Sequence, residues 1–219
     1  AKRLPYGRVQ GGVLNNMKIL NLYAGLGGNR KNWEDCEVTA VESNQQIADA
    51  YRKVFPDDLV VVGDAHHILP SMPGSITEPD FIWSSPPCQS HSRMQLSGRN
   101  RTPMYADMAL WQEIIFLQTH FKGNWVIENV VPYYEPLVKP TVKRGRHLFW
   151  SNMDLSFVQD VPSPKNFIKT QDKAALLEWL GMPDPGNIYY DGNHDPLQVL
   201  RNCVHPFIGE QIMEIAQNA

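Results

Sequence analysis

Short apolar runs, each closed by a turn, recur along most of the chain and limit it to one kind of sheet. Lys18–Tyr23 (KILNLY), Glu37–Glu42 (EVTAVE), Leu59–Val62, Asp80–Ser84 (DFIWS) and Asn124–Ile127 (NWVI) each read as a buried strand. Helical spacing separates them. Ile47, Tyr51, Val54 and Phe55 mark one helix face, stopped by Pro56. Met104, Met108, Trp111, Ile115 and Gln118 mark another, expected to face the core. Strand–turn–helix repetition predicts an α/β protein with a doubly wound, mostly parallel sheet. His147–Trp150 is a further strand candidate. Gln171–Leu180 reads as a helix ended by Gly181, and a closing helix near Pro206 carries Ile208, Ile212 and Ile215 on one face.

A chain of 219 residues suits one domain with a sizeable core. Residues 1–16 lack periodicity and are expected to be an N-terminal arm or an added expression segment. Residues 17–219 are expected to form the single domain. Three cysteines form no disulfide framework, and there is no signal-like start or long apolar run. A cytoplasmic setting without a membrane partner is therefore expected. The net charge of -3 argues against a histone-like or tail-driven nucleic-acid binder. The basic residues are nonetheless clustered: Arg93, Arg99 and Arg101 in one loop, and Lys139, Lys143, Arg144 and Arg146 in another. Two acid-free basic loops point to phosphate binding.

Three stretches carry chemistry. Ala24-Gly25-Leu26-Gly27-Gly28-Asn29 follows the first strand, and such a turn lets backbone N–H groups approach a ligand. Arg30 stands where a dinucleotide fingerprint needs its third glycine, which counts against NAD. Glu42, at the tip of the second strand, is placed to accept from ribose hydroxyls. Asp64 is either an adenine contact or a helix N-cap. His66 and His67 lack metal-ligand spacing, and no metal is expected. Cys88 follows Pro86-Pro87 at the end of a strand, where a rigid turn aims a side chain. The arginines that follow are expected to favour its thiolate. Glu128, at the end of the next strand, is either a pocket acid with a raised pKa or a surface acid before a turn.

Taken in order, these elements resemble the cytosine-C5 DNA methyltransferase family. The resemblance rests on Asn21–Gly28 (NLYAGLGG), Val41-Glu42, Gly63-Asp64, Pro87-Cys88-Gln89, Glu128-Asn129-Val130, Arg144-Gly145-Arg146, Ala175–Asp184 and Leu200–Pro206 (LRNCVHP). It implies a Rossmann-like fold dependent on S-adenosylmethionine, with transfer of a methyl group to C5 of cytosine in DNA. Cys88 is implied to attack C6, Glu128 to hold or protonate N3, Arg146 to contact the base or its phosphate, and Arg144 to support the catalytic loop. Around the cofactor the resemblance places Tyr23, Ala24, Gly25, Gly27, Gly28, Glu42, Asp64, Ala65, Pro86 and Asn202. Against the nucleic acid it places Gln89, Ser90, Arg93, Arg99 and Asn129. In a duplex the target base must leave the stack. A prokaryotic or phage setting and a role in restriction-modification are implied in the same way.

The chain departs from the family pattern in three places. Val142 replaces a usual Gln. Arg201 replaces a usual Gly before Asn202, which puts close packing there in doubt. The region 151–168 leaves little room for a target recognition domain. Recognition is then minimal, or supplied by a partner subunit or self-association, or the substrate is RNA, as in the tRNA-acting branch. A free nucleotide fits the basic loops less well. A non-catalytic binding module has no chemical need for both Cys88 and Glu128. An amino-methyltransferase needs an aromatic where Cys88 stands.

Overall fold

The structure is a computed structural model and describes residues 16–71, 78–97, 102, 104–190 and 194–219. The sheet contains β1 (Met17–Leu22), β2 (Cys36–Glu42), β3 (Leu59–Val62), β4 (Phe81–Ser84), β5 (Asn124–Val130), β6 (Val142–Arg144) and β7 (His147–Ser151). Their order is β3-β2-β1-β4-β5-β7-β6. The strands from β3 to β5 pair in parallel, while β7 pairs antiparallel with both β5 and β6. The fold class is thus α/β with a mostly parallel sheet. The predicted arm lies almost entirely outside the described residues.

Period-2 alternation splits the strand side chains between two buried faces. Ile19, Phe81, Trp83, Val126 and Phe149 pack with Trp33 and with Ile208, Ile212 and Met213 of α6 (Pro206–Gln217). Leu20, Ile82, Ile127, Leu148 and Trp150 pack with Leu110, Trp111, Ile114 and Leu117 of α3 (Ala109–His120). A third cluster joins Leu26 to α1 (Gln45–Val54), α4 (Lys173–Leu180) and α5 (Gln198–Arg201). The helix ends follow local chemistry. Asn44 caps α1 by accepting from the N–H groups of Gln46 and Ile47, and Gly181 ends α4 with a left-handed φ of 58°.

Of the predicted core face of α3, Trp111 alone is buried. Met104 precedes the helix, Met108 is its N-cap, and Ile115 and Gln118 face solvent. Two apolar stripes overlap in this helix, and only packing on the sheet selects residues 110, 111, 114 and 117. Glu128 does not end its strand either. β5 runs on to Val130, so Glu128 lies inside it opposite Phe149. The extension needs β7 as an antiparallel neighbour, which no local pattern around Asn124 reveals. β6 also went unforeseen. None of the described helices is long and apolar enough to cross a membrane.

Candidate active site

The sheet order reverses between β1 and β4, and a cavity of about 390 Å³ opens there at the carboxyl ends of the parallel strands. Its first wall is the turn after β1. Tyr23, Gly25 and Gly27 have left-handed φ angles of 54°, 55° and 78°. The turn is anchored by Glu42, which accepts from Gly25 N at 3.0 Å and Asn44 N at 2.8 Å. Burial pushes the Glu42 carboxyl above its ordinary pKa, and these hydrogen bonds pull it back. A Cβ on Gly28 would lie 2.6 Å from the Val204 carbonyl oxygen, so only glycine fits between the turn and the segment linking α5 to α6. Tyr23 is fixed by its hydroxyl, which donates to Glu113 Oε1 at 2.6 Å. Glu113, buried on α3, also accepts from Ser84 Oγ at 2.8 Å and meets His66 Nδ1 at 3.1 Å.

The second wall is the turn from Ser85 to Gln89. Asn129 Nδ2 donates to the Pro86 carbonyl at 2.9 Å and holds the turn against β5. Beyond Cys88, the N–H groups of His91 and Ser92 both donate to the Cys88 carbonyl. The His91 ring is buried and its Nδ1 lies 2.5 Å from the Tyr134 hydroxyl, stapling the loop to residues 132–134. Burial and the neighbouring Glu128 raise the Cys88 thiol to about 11, against an opposing pull from Arg146. Glu128 is raised to about 7 by burial, with Ser85 and Arg146 opposing.

Arg146 and His147 come from the antiparallel side of the sheet. Arg146 donates to the Arg201 carbonyl, and its guanidinium lies 4.5 Å from the centroid of the Phe167 ring. His147 Nδ1 lies 3.7 Å from Glu128 Oε1. Burial and then Arg146 hold that imidazole down to about 3. The last wall carries Asn202, whose Nδ2 donates to the Tyr190 hydroxyl at 2.9 Å.

Among the residues expected from sequence, Tyr23, Ala24, Gly25, Gly28, Glu42, Pro86, Cys88, Gln89, Glu128, Asn129, Arg146 and Asn202 line this cavity. Others lie elsewhere. Gly27 sits against the Tyr51 and Phe55 rings. Asp64 is the N-cap of the short α2 (Ala65–Ile68), where it accepts from His66 N, and Ala65 is buried beside it. Ser90 Oγ accepts from Asp107 N. Arg93 donates to the Pro132 carbonyl, and Arg99 lies outside the described residues. The positive group acting on Cys88 is therefore Arg146 rather than Arg93. Arg144 turns away from the cavity and binds the carbonyls of Lys143, Leu155, Ser156 and Val158. His147, Tyr190, Arg201 and Cys203 line the cavity without having been foreseen as site residues. For His147 the adjacency to Arg146 was the available signal.

The donor set fits a nucleoside cofactor. A buried acid ends β2, backbone turns back from β1, and glycine keeps the wall open at Gly28. A family profile described as C-5 cytosine-specific DNA methylase matches residues 17–134, more than half of the chain. Members of that family take their methyl group from S-adenosylmethionine. No curated protein matches the chain significantly. Among solved structures, a DNMT2 mutant from Spodoptera frugiperda is 25% identical, with a TM-score of 0.37, over 52% of this chain and 35% of that one. A putative DNA modification methyltransferase from an E. coli prophage is 20% identical, with a TM-score of 0.36, over 54% of this chain and 33% of that one. The match thus spans about a third of the length of these two proteins. On the family profile, the chain belongs to the C-5 cytosine-specific DNA methylases.

Proposed function

We propose that residues 17–219 act as one methyltransferase domain that methylates C5 of cytosine in DNA through a covalent Cys88–C6 adduct. The observation that carries this reading is the convergence of Cys88, Glu128 and Arg146 on one cavity that also holds the Gly25–Gly28 turn and Glu42. Cytosine C5 is a weak nucleophile, and these residues address that weakness. The Cys88 thiol gives its proton to solvent and its sulfur bonds to C6, while Glu128, kept protonated up to about pH 7, holds a proton at N3. The C5=C6 electron pair then sits at C5 as an enamine. When bound, S-adenosylmethionine supplies a methyl group activated by its sulfonium. After methylation, a water molecule takes the C5 proton, the C5=C6 double bond re-forms, and the C6–S bond breaks to expel the Cys88 thiolate. Arg146 favours that thiolate and Asn129 holds the turn that aims it. Tyr23, Gly25, Gly28, Glu42 and Asn202 would hold the cofactor.

The short region 151–168 favours a second reading, in which RNA is the substrate or a partner subunit supplies recognition. Labelled S-adenosylmethionine with unmethylated duplex DNA, and separately with tRNA, tests both. Label in DNA 5-methylcytosine with the native protein and none with Cys88→Ala supports the proposal. Label only in RNA, or none despite cofactor binding, overturns the stand-alone DNA reading.

A further inference from the structure

Arg201 stands where the family pattern has a glycine, yet its side chain is neither exposed nor idle. It is 4% exposed, and two of its nitrogens are engaged. Nη1 pairs with Asp195 at 2.5 Å, and Nη2 donates to the Thr170 carbonyl at 2.7 Å. The doubt that sequence raised about packing here is answered by burial of the whole side chain. Its Nε has no partner among the described residues. An apolar side chain would fill the same space without that cost, so packing alone does not explain an arginine.

The two segments it joins are the two that support Arg146. From one side Phe167, three residues before Thr170, lies under the Arg146 guanidinium. From the other side the carbonyl of Arg201 itself accepts from Arg146 Nη2. A guanidinium can hold both at once because its donors form a rigid planar fork. A lysine ammonium is a single point and cannot span Asp195 and Thr170 in the same way. The segment from Phe167 to Thr170 is thereby tied to the wall made by residues 195–202.

We propose that Arg201 is a positioning residue. Its clamp on Asp195 and Thr170 fixes both supports of Arg146 and so holds that arginine at the cavity. This rests on the reading of Arg146 as the arginine that meets the target base. Arg201 itself need not touch the substrate. Loss of the clamp removes the polar tie between Thr170 and the 195–202 wall and leaves only the apolar packing of Phe167 on Leu197, Val199 and Leu200.

The test uses the full chain with nitrogen-15 in its arginines. Arg146 Nε is assigned by its disappearance in Arg146→Lys, and its relaxation is measured in the native protein, Arg201→Lys and Asp195→Asn. Denaturant melts identify which variants fold; Asp195→Asn loosens the clamp from its more exposed end. A rigid Arg146 Nε in the native protein that becomes mobile in either folded variant supports the clamp. An equally rigid Nε in the folded variants overturns it. In parallel, kcat on the nucleic-acid substrate is expected to fall about tenfold in Arg201→Lys. Adding Phe167→Leu to Arg201→Lys is expected to cost little more, because both changes release the same support. A rise in the cofactor KM with kcat unchanged also overturns the proposal. A native protein that methylates no nucleic acid defeats the functional reading alone, since the relaxation measurement still judges the clamp.

Discussion

Glu128 on β5 and His147 on β7 face each other at 3.7 Å, with both side chains buried beside Arg146. Their titrations act on stability in opposite directions. Glu128, raised to about 7, binds its proton more tightly when folded, so its contribution is full below the ordinary carboxylate range and is lost as pH rises toward 7. His147, held down to about 3, stays neutral when folded, so its contribution is present above the ordinary imidazole range and is lost as pH falls toward 3. Between about pH 4.5 and 6.5 the two slopes oppose each other. Glu128→Gln is expected to leave stability rising with pH across that window. His147→Phe is expected to leave it falling, each by about 3 kcal/mol. Urea melts at successive pH values measure both slopes, and parallel slopes in the two variants would contradict the assignment.

The Cys88 thiol at about 11 is neutral in the resting protein. Alkylation by a small thiol reagent is therefore expected to be slow at pH 7 and to quicken about tenfold per pH unit up to pH 10. Arg146→Met removes the positive charge that favours the thiolate and is expected to slow alkylation further. Mass spectrometry of the modified peptide reads the rate at Cys88 separately from Cys36 and Cys203. Faster alkylation in the Arg146 variant is the opposing outcome.

Glu113 gathers the Tyr23 hydroxyl, Ser84 Oγ and His66 Nδ1 around one buried carboxylate. Glu113→Ala leaves the buried Ser84 hydroxyl and the half-buried Tyr23 hydroxyl without their acceptor and is expected to cost about 3 kcal/mol in denaturant unfolding. Tyr23→Phe removes one hydrogen bond and is expected to cost about 1 kcal/mol. The same Tyr23 change is expected to weaken S-adenosylmethionine binding several-fold by calorimetry, because Tyr23 lines the cavity. Unchanged binding would remove Tyr23 from the cofactor wall.

Gly28→Ala puts a methyl group 2.6 Å from the Val204 carbonyl oxygen and 2.8 Å from Cys203 Cβ. The turn or the wall must move. A loss of about 2 kcal/mol is expected, with cofactor affinity falling alongside it. A variant of native stability and native affinity would show that the approach is looser than this.

The strands β1 to β5, the helix α1 ahead of Pro56, and the Gly181 stop were legible in sequence because each depends on neighbours along the chain. Alternation, capping and left-handed turns are local physics. So was the likeness of the cofactor turn, Cys88 and Glu128 to one enzyme family, since that likeness is carried by short contiguous strings. What sequence could not supply was pairing across distance. The antiparallel β7 lengthens β5 and buries Glu128 within it. The sheet, not the helix pattern, selects the buried face of α3. Arg93 and Arg146 are equally basic on paper, but only the fold brings Arg146 to Cys88 while Arg93 is spent on a backbone carbonyl. Arg201, a departure from pattern when read along the chain, gains meaning from Asp195, Thr170 and Arg146. Local rules determined the elements and named the chemistry. Burial and long-range contacts decided which charged groups share the cavity, because desolvation and Coulomb forces depend on distance in space rather than along the chain.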